Sequence, residues 1–268
     1  MNRSTHLCGG LRLSVAETGE GRAMVFQHGL CGDAAQPADV FPQGAGWRCV
    51  TLECRGHGLT NVGRPDDYTL ATFADDVASL IEARGLAPVV LGGISMGAAI
   101  AMRLAVKRPE LVSALVLARP AWFDAAEPEN MWPNQCVGDL MTLFSPHRAQ
   151  LMFEGSDLAD ELKRDAPANY ETLSGLLYGR SYAVTGQLLA RISVDGPGVT
   201  RAQIAAIDVP ALVIGHGRDL IHPLAMARSL AAAIPGARFA EIAPKADDAG
   251  RHAQEFRAAL AGFLEELP

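Results

Sequence analysis

Ser95 stands between two glycines in Gly93-Ile94-Ser95-Met96-Gly97, inside the stretch VVLGGISMGAAIAMRLAVKRP at 89–109. A serine hydroxyl is a weak nucleophile until its surroundings activate it. The G-x-S-x-G pattern alone is a weak signal, since composition supplies about 0.1 such matches in a chain of this length. Its setting strengthens it. An apolar run, APVVLGG, leads straight in, and an Ala-rich run with helical character leads straight out. A sharp strand-to-helix turn strains the serine and projects its hydroxyl, and the glycines let helix and strand approach closely. The start of the helix adds backbone N–H groups and a positive dipole end beside that hydroxyl. The chemistry this predicts is nucleophilic attack on a carbonyl. The competing reading, a structural Gly-rich crossover at a nucleotide site, lacks both a G-x-G-x-x-G and a Walker lysine.

The elements that must hold Ser95 can be read on either side of it. LRLSVAETGEG alternates and breaks at Gly19 and Gly21, which predicts a hairpin there. AMVFQHG and WRCVTLECRGHG each read as a buried strand running into a loop. TFADDVASLIEARG carries Phe73, Val77, Leu80 and Ile81 at helix spacing behind a Thr72 cap, and Gly85 closes it. LVSALVLARP is another strand. Residues 121–200 then show several helix-like pieces and no strong strand. From VPALVIGHGRD the alternation resumes with PLAMARSLAAAI, ARFAEIAP and AQEFRAALAGFLEEL. Apolar strands alternating with helices predict an α/β fold with a mostly parallel, doubly wound sheet and flanking helices. The expected organisation is a core domain of 1–120 and 201–268, with 121–200 as a helical cap insertion.

Composition bounds the partners. Of 268 residues, 49% are hydrophobic, which suffices for a large core, and the net charge is −7. An acidic chain argues against nucleic acid or an anionic membrane as partner. The five cysteines, Cys8, Cys31, Cys49, Cys54 and Cys136, show no metal-ligand spacing, and MNRSTHLCGG lacks the apolar stretch of a secretion signal. Free thiols in a reducing cytoplasm are the expectation, with no membrane span.

VFQHGLCGD, CRGHGLT, GGISMGAA and VIGHGRDLIHP, in that order, resemble the motifs of the α/β-hydrolase superfamily, in its esterase, lactonase and enol-lactonase-like branch. The resemblance covers nearly the whole chain and implies a serine hydrolase acting on a small ester or lactone without metal or cofactor. It implies oxyanion donors at the Met96 and Leu30 N–H groups and places His28 and His57 as loop braces. It implies an acid at Asp219, with Asp124 as runner-up. It also implies a histidine just after the last strand, where IAPKADDAGRH carries Ala246, Asp247 and Asp248 instead. His252, a few residues later, shares a helical stripe with Phe256, Ala259 and Phe263 and is the expected base. His222, His216 and His147 are alternatives, and a third reading engages no histidine, puts Asp247 or Asp248 in the slot and leaves a changed or weakened hydrolase or a ligand binder. The same machinery also suits C–C bond hydrolysis or perhydrolysis. Trp122 and Arg119 are expected at the substrate, Arg119 for a carboxylate. Phe123, Met131, Trp132, Leu143 and Phe144 are further candidates for an apolar lining.

Overall fold

Gly9 and Gly10, both at positive φ (55° and 79°), turn strand β1 (Asn2–Cys8) back onto β2 (Leu11–Gly19) through a two-residue loop that only such torsions close neatly. The hairpin expected at Gly19–Gly21 is therefore corrected. β2 pairs antiparallel with β1 on one side and with β4 on the other, and β3 lies beyond β4. The Arg22 amide donates to Gly46 O at 2.9 Å, so the glycine pair serves a crossing under β4.

The computed structural model describes residues 1–44, 46–179 and 181–268. After β1 and β2 come β3 (Arg22–Gln27), α1 (Ala35–Val40), β4 (Trp47–Leu52), α2 (Leu70–Ala83), β5 (Val89–Ile94), α3 (Met96–Lys107) and β6 (Val112–Ala118). Helices α4 (Trp132–Leu143), α5 (Pro146–Glu154), α6 (Asp157–Asp165), α7 (Pro167–Leu176), α8 (Tyr182–Ser193) and α9 (Arg201–Ile204) follow. The chain ends with β7 (Ala211–Gly215), α10 (Leu224–Ala233), β8 (Arg238–Glu241) and α11 (Ala249–Glu265). The strand order is β1-β2-β4-β3-β5-β6-β7-β8, parallel from β4 onward.

Strand residues alternate between two apolar layers. Val25, Leu91, Leu115 and Val213 join the layer packed by α2 and α3. Met24, Phe26, Val116 and Ile214 join the one packed by Phe256, Leu260 and Phe263 of α11. Both faces are covered, so the strands read as continuous apolar runs. Each fully buried Leu or Phe contributes about 1.5–3 kcal/mol of transfer free energy. The cap of α2 is Thr69 rather than Thr72: its side chain accepts the Thr72 amide.

Between β6 and β7 the described residues form helices and no strand. Trp122, 1% exposed, donates its indole N–H to Asp195 O at 2.9 Å and so ties the start of this segment to its end. No helix is long and apolar enough to cross a membrane among the described residues.

Candidate active site

Ser95 occupies the turn between β5 and α3 at φ 57°, ψ −112°, a strained conformation for a residue with a Cβ. Two close approaches hold it there. A Cβ on Gly97 would lie 2.5 Å from Gln27 O of β3, and one on Gly93 would lie 2.6 Å from Gly97 Cα. The Ser95 amide donates to Ala118 O of β6 at 2.9 Å. The next residue, Met96, opens α3, where the first amides of a helix have no intrahelical acceptor.

His222 reaches this hydroxyl. Its Nε2 lies 2.8 Å from Ser95 Oγ, and its Nδ1 lies 3.0 Å and 2.9 Å from the two oxygens of Asp219. Arg119 Nη2 is also 3.2 Å from Nδ1, but a guanidinium only donates. That group already donates to Asp219 Oδ2 at 2.8 Å, and the two carboxylate oxygens facing Nδ1 can only accept, so the proton sits on Nδ1 and is donated to Asp219, which leaves Nε2 to accept from Ser95. Asp219 and His222 are three residues apart in the loop after β7. The His222 amide donates to Asp219 Oδ1 at 2.9 Å, which folds this turn, and Pro223 follows at the cap position before α10 begins.

Asp219 accepts from every side. Arg119 Nη2 donates to Oδ2 at 2.8 Å and Asn169 Nδ2 of α7 to Oδ1 at 2.9 Å. Burial alone would raise the carboxyl's pKa, but its pairing with His222, including the imidazole N–H it accepts, and the Arg119 charge hold it well below the usual range. Burial lowers His222 below its ordinary value. Asp219 pulls it up and Arg119 pulls it further down. The imidazole is thus neutral near pH 7, the form that accepts a proton.

His252 does not meet Ser95, which corrects the expected base. Its Nδ1 lies 2.8 Å from Ala243 O, and its ring packs edge-on against His216 at 4.8 Å between centroids. The inward stripe on α11 exists, with His252, Phe256 and Phe263 buried, but it serves the core. In the preceding turn Asp248 caps α11 by accepting the Arg251 amide, and Asp247 pairs with Arg218. His216 lies with Nδ1 2.7 Å from Gly217 O, and its Nε2 is 3.5 Å from Asp219 Oδ2. His147 belongs to α5, and Asp124 faces Arg201 at 3.4 Å.

His28 and His57 tie loops together. His28 Nε2 accepts the Cys54 amide at 3.0 Å and His57 Nε2 accepts the Cys31 amide at 3.1 Å. Burial drives His57 down to about 3 and lowers His28, so both stay neutral. Burial pushes the Cys31 thiol up to about 12, so it is no thiolate.

A cavity of about 120 Å3 opens at Ser95, bordered by Gly29, Leu30, Gln36, Arg119 and His222 and roofed by Asn134, Asn169, Leu173, Leu176 and Leu189 of α4, α7 and α8. Leu30 and Arg119 are thus at the cavity. Trp122 is not, being spent on the stem of the helical segment. Phe123, Met131, Trp132, Leu143 and Phe144 do not border it either, and Trp132 and Leu143 are exposed. Gln36 and Asn169 escaped the sequence reading. Gln36 Oε1 accepts the Gly29 amide at 2.6 Å and fixes the loop that carries Leu30. Among the described residues no cluster suited to hold a metal ion occurs.

An eight-stranded sheet of this order, with a serine on a strand-to-helix elbow and a histidine and carboxylate beside it, defines a hydrolase of the α/β type. The chain belongs to the α/β-hydrolase family of enzymes: a family profile described as alpha/beta hydrolase fold matches residues 22–257. It is 30% identical over 257 residues, 87% of this chain and 89% of the relative, to a Mycobacterium tuberculosis protein bearing the name non-heme bromoperoxidase BpoC. An esterase, EaEST, from Exiguobacterium antarcticum has a similar structure, with TM-score 0.76, 19% identity and coverage of 99% and 100% of the two chains. The enol-lactonase from Burkholderia xenovorans LB400 is similar at TM-score 0.70 and 23% identity, over 98% and 100% of the chains. At such identities the structural likeness establishes the fold.

Proposed function

We propose that this chain hydrolyses a carboxylic ester or lactone of a small molecule through an acyl-enzyme on Ser95, with His222 as general base and Asp219 as its partner. The observation that carries this reading is the hydrogen-bonded series from Ser95 Oγ through His222, 2.8 Å on one side and 2.9 Å on the other. It supplies the proton acceptor without which the serine would be inert.

The Ser95 proton passes to His222 Nε2 as Oγ attacks the acyl carbon. The Leu30 and Met96 N–H groups donate to the developing oxyanion. Collapse breaks the bond to the leaving oxygen, which takes the proton from Nε2 and departs as an alcohol or, from a lactone, as the far end of the same chain. Water, deprotonated by His222, then attacks the acyl carbon and returns Ser95. Asp219 stays ionised, holds the Nδ1–H tautomer and stabilises the transient imidazolium. The names of the similar proteins, esterase and enol-lactonase, point to the same acyl chemistry. The ligand-binder reading rested on a missing base and loses its ground once His222 takes that place.

The test is release of nitrophenolate from p-nitrophenyl acetate. Wild-type protein turns it over, and Ser95→Ala and His222→Ala each lose about 10³-fold or more in kcat/KM. Inert wild-type protein across short esters and lactones would overturn the proposal.

A further inference from the structure

A second cavity, of about 380 Å3, lies against the Ser95 cavity, between α1 and α11. The two share a border of Gln36, Ile94, Arg119 and Lys245. On the α11 side Ala249, His252, Ala253 and Phe256 line the second cavity at i, i+3, i+4 and i+7, a single helical face. This is the side of the sheet from which the resemblance implied an imidazole. With His252 held on Ala243 O and the base supplied by the β7 loop instead, the space beside α11 stays open.

The shared border is cationic. Arg119 commits Nη2 to Asp219, while its buried Nε has no hydrogen-bond partner. Lys245 is exposed and, among the described residues, forms no ion pair. No carboxylate borders the Ser95 cavity, and Asp39 is the single acidic side chain near the α1 end of the second. Two cations at one border, Arg119 paired with Asp219 and Lys245 unpaired among the described residues, make a place for an anionic oxygen.

We infer that this border is an anion subsite and that the substrate of Ser95 is a carboxylate-bearing ester or lactone. Its carboxylate accepts from Arg119 and Lys245 while the remainder of its chain extends along the α11 face. Asp39 keeps the charge at the border rather than deeper. The inference rests on the ester hydrolase reading above.

The experiment compares mono-p-nitrophenyl glutarate with its neutral twin, p-nitrophenyl methyl glutarate. Wild-type kcat/KM favours the anion at least tenfold, the preference shrinks at high salt, and Lys245→Glu cuts the ratio at least tenfold while Lys245→Arg keeps it. Equal turnover of the two esters, or a ratio indifferent to Lys245→Glu, overturns the subsite. Binding of monomethyl glutarate to Ser95→Ala, followed by calorimetry, separates the subsite from the chemistry. Affinity lowered at least tenfold by Lys245→Glu supports the subsite even if wild-type protein hydrolyses neither ester, and affinity no greater than for dimethyl glutarate overturns it even if both are cleaved.

Discussion

His222 sits between two opposite charges, Asp219 and Arg119, inside a buried pocket, and its basicity is the balance of the three. Burial and Arg119 lower it, and Asp219 raises it by less. The base must be neutral, so the acid limb of kcat/KM for a neutral ester should fall below pH 6.5. A pH–rate profile with its acid midpoint above 6.5 would contradict this. Arg119→Gln removes a positive charge from beside the imidazole and so should shift the midpoint upward. At this scale the sequence was half legible. Ser95 announces itself through its glycines, whereas Asp219, after an apolar strand, was implied by the resemblance. His222 stood only among the alternatives, because only the turn made by the Asp219 carboxylate and the His222 amide turns a separation of three residues into contact.

The elements matter through where they cross. Gly93 and Gly97 exist because β3, β5 and α3 converge behind Ser95, and Gly97→Ala would drive a methyl onto Gln27 O. The expected cost is about 3 kcal/mol, the upper end for an overpacked site, read as a lower urea midpoint, since the contacting atoms are backbone and cannot swing away. Helix α7 is bound to the acid loop by one buried residue. Asn169 donates to Asp219 Oδ1 and accepts the Leu220 amide at 2.8 Å. Asn169→Ala should lower kcat/KM on p-nitrophenyl acetate roughly 10-fold to 100-fold by loosening the carboxylate that orients His222, in line with losses seen for residues that support a reactive group. Unchanged turnover would mean that the β7 loop holds its shape alone. Periodicity made the strands and α11 legible. It could not tell that His252, on an inward stripe, faces Ala243 and His216 rather than Ser95, because a buried face records burial and not its neighbour.

At the scale of the whole molecule, stability should depend on pH through buried neutral histidines. His57, held near 3 in the folded protein, has an unfolded value of about 6.5. Below that unfolded value the unfolded chain binds the extra proton, so stability falls as pH drops, by about 1.4 kcal/mol per pH unit for each such group. Between pH 6.5 and 5 His57 alone should cost about 2 kcal/mol, with His216, held near 4, adding to it. Asp219, with a depressed folded value, contributes stability above its unfolded pKa near 3.8 that is lost only at lower pH. Urea midpoints should therefore drop between pH 7 and pH 5, and His57→Gln should flatten that slope. A rising or flat profile would contradict the neutral histidines. The doubly wound sheet was legible in the sequence because both of its faces are buried. The roof over Ser95 was not: the aromatic residues of 121–200 went into its stem and surface, while smaller residues of α7 and α8 line the cavity.

The most direct measurement is kcat/KM for p-nitrophenyl acetate in His222→Ala beside His252→Ala, each checked for folding. His222→Ala should lose about 10³-fold or more, while His252→Ala keeps at least about a tenth of wild-type activity. The reverse order would show that the proton leaves Ser95 by another route.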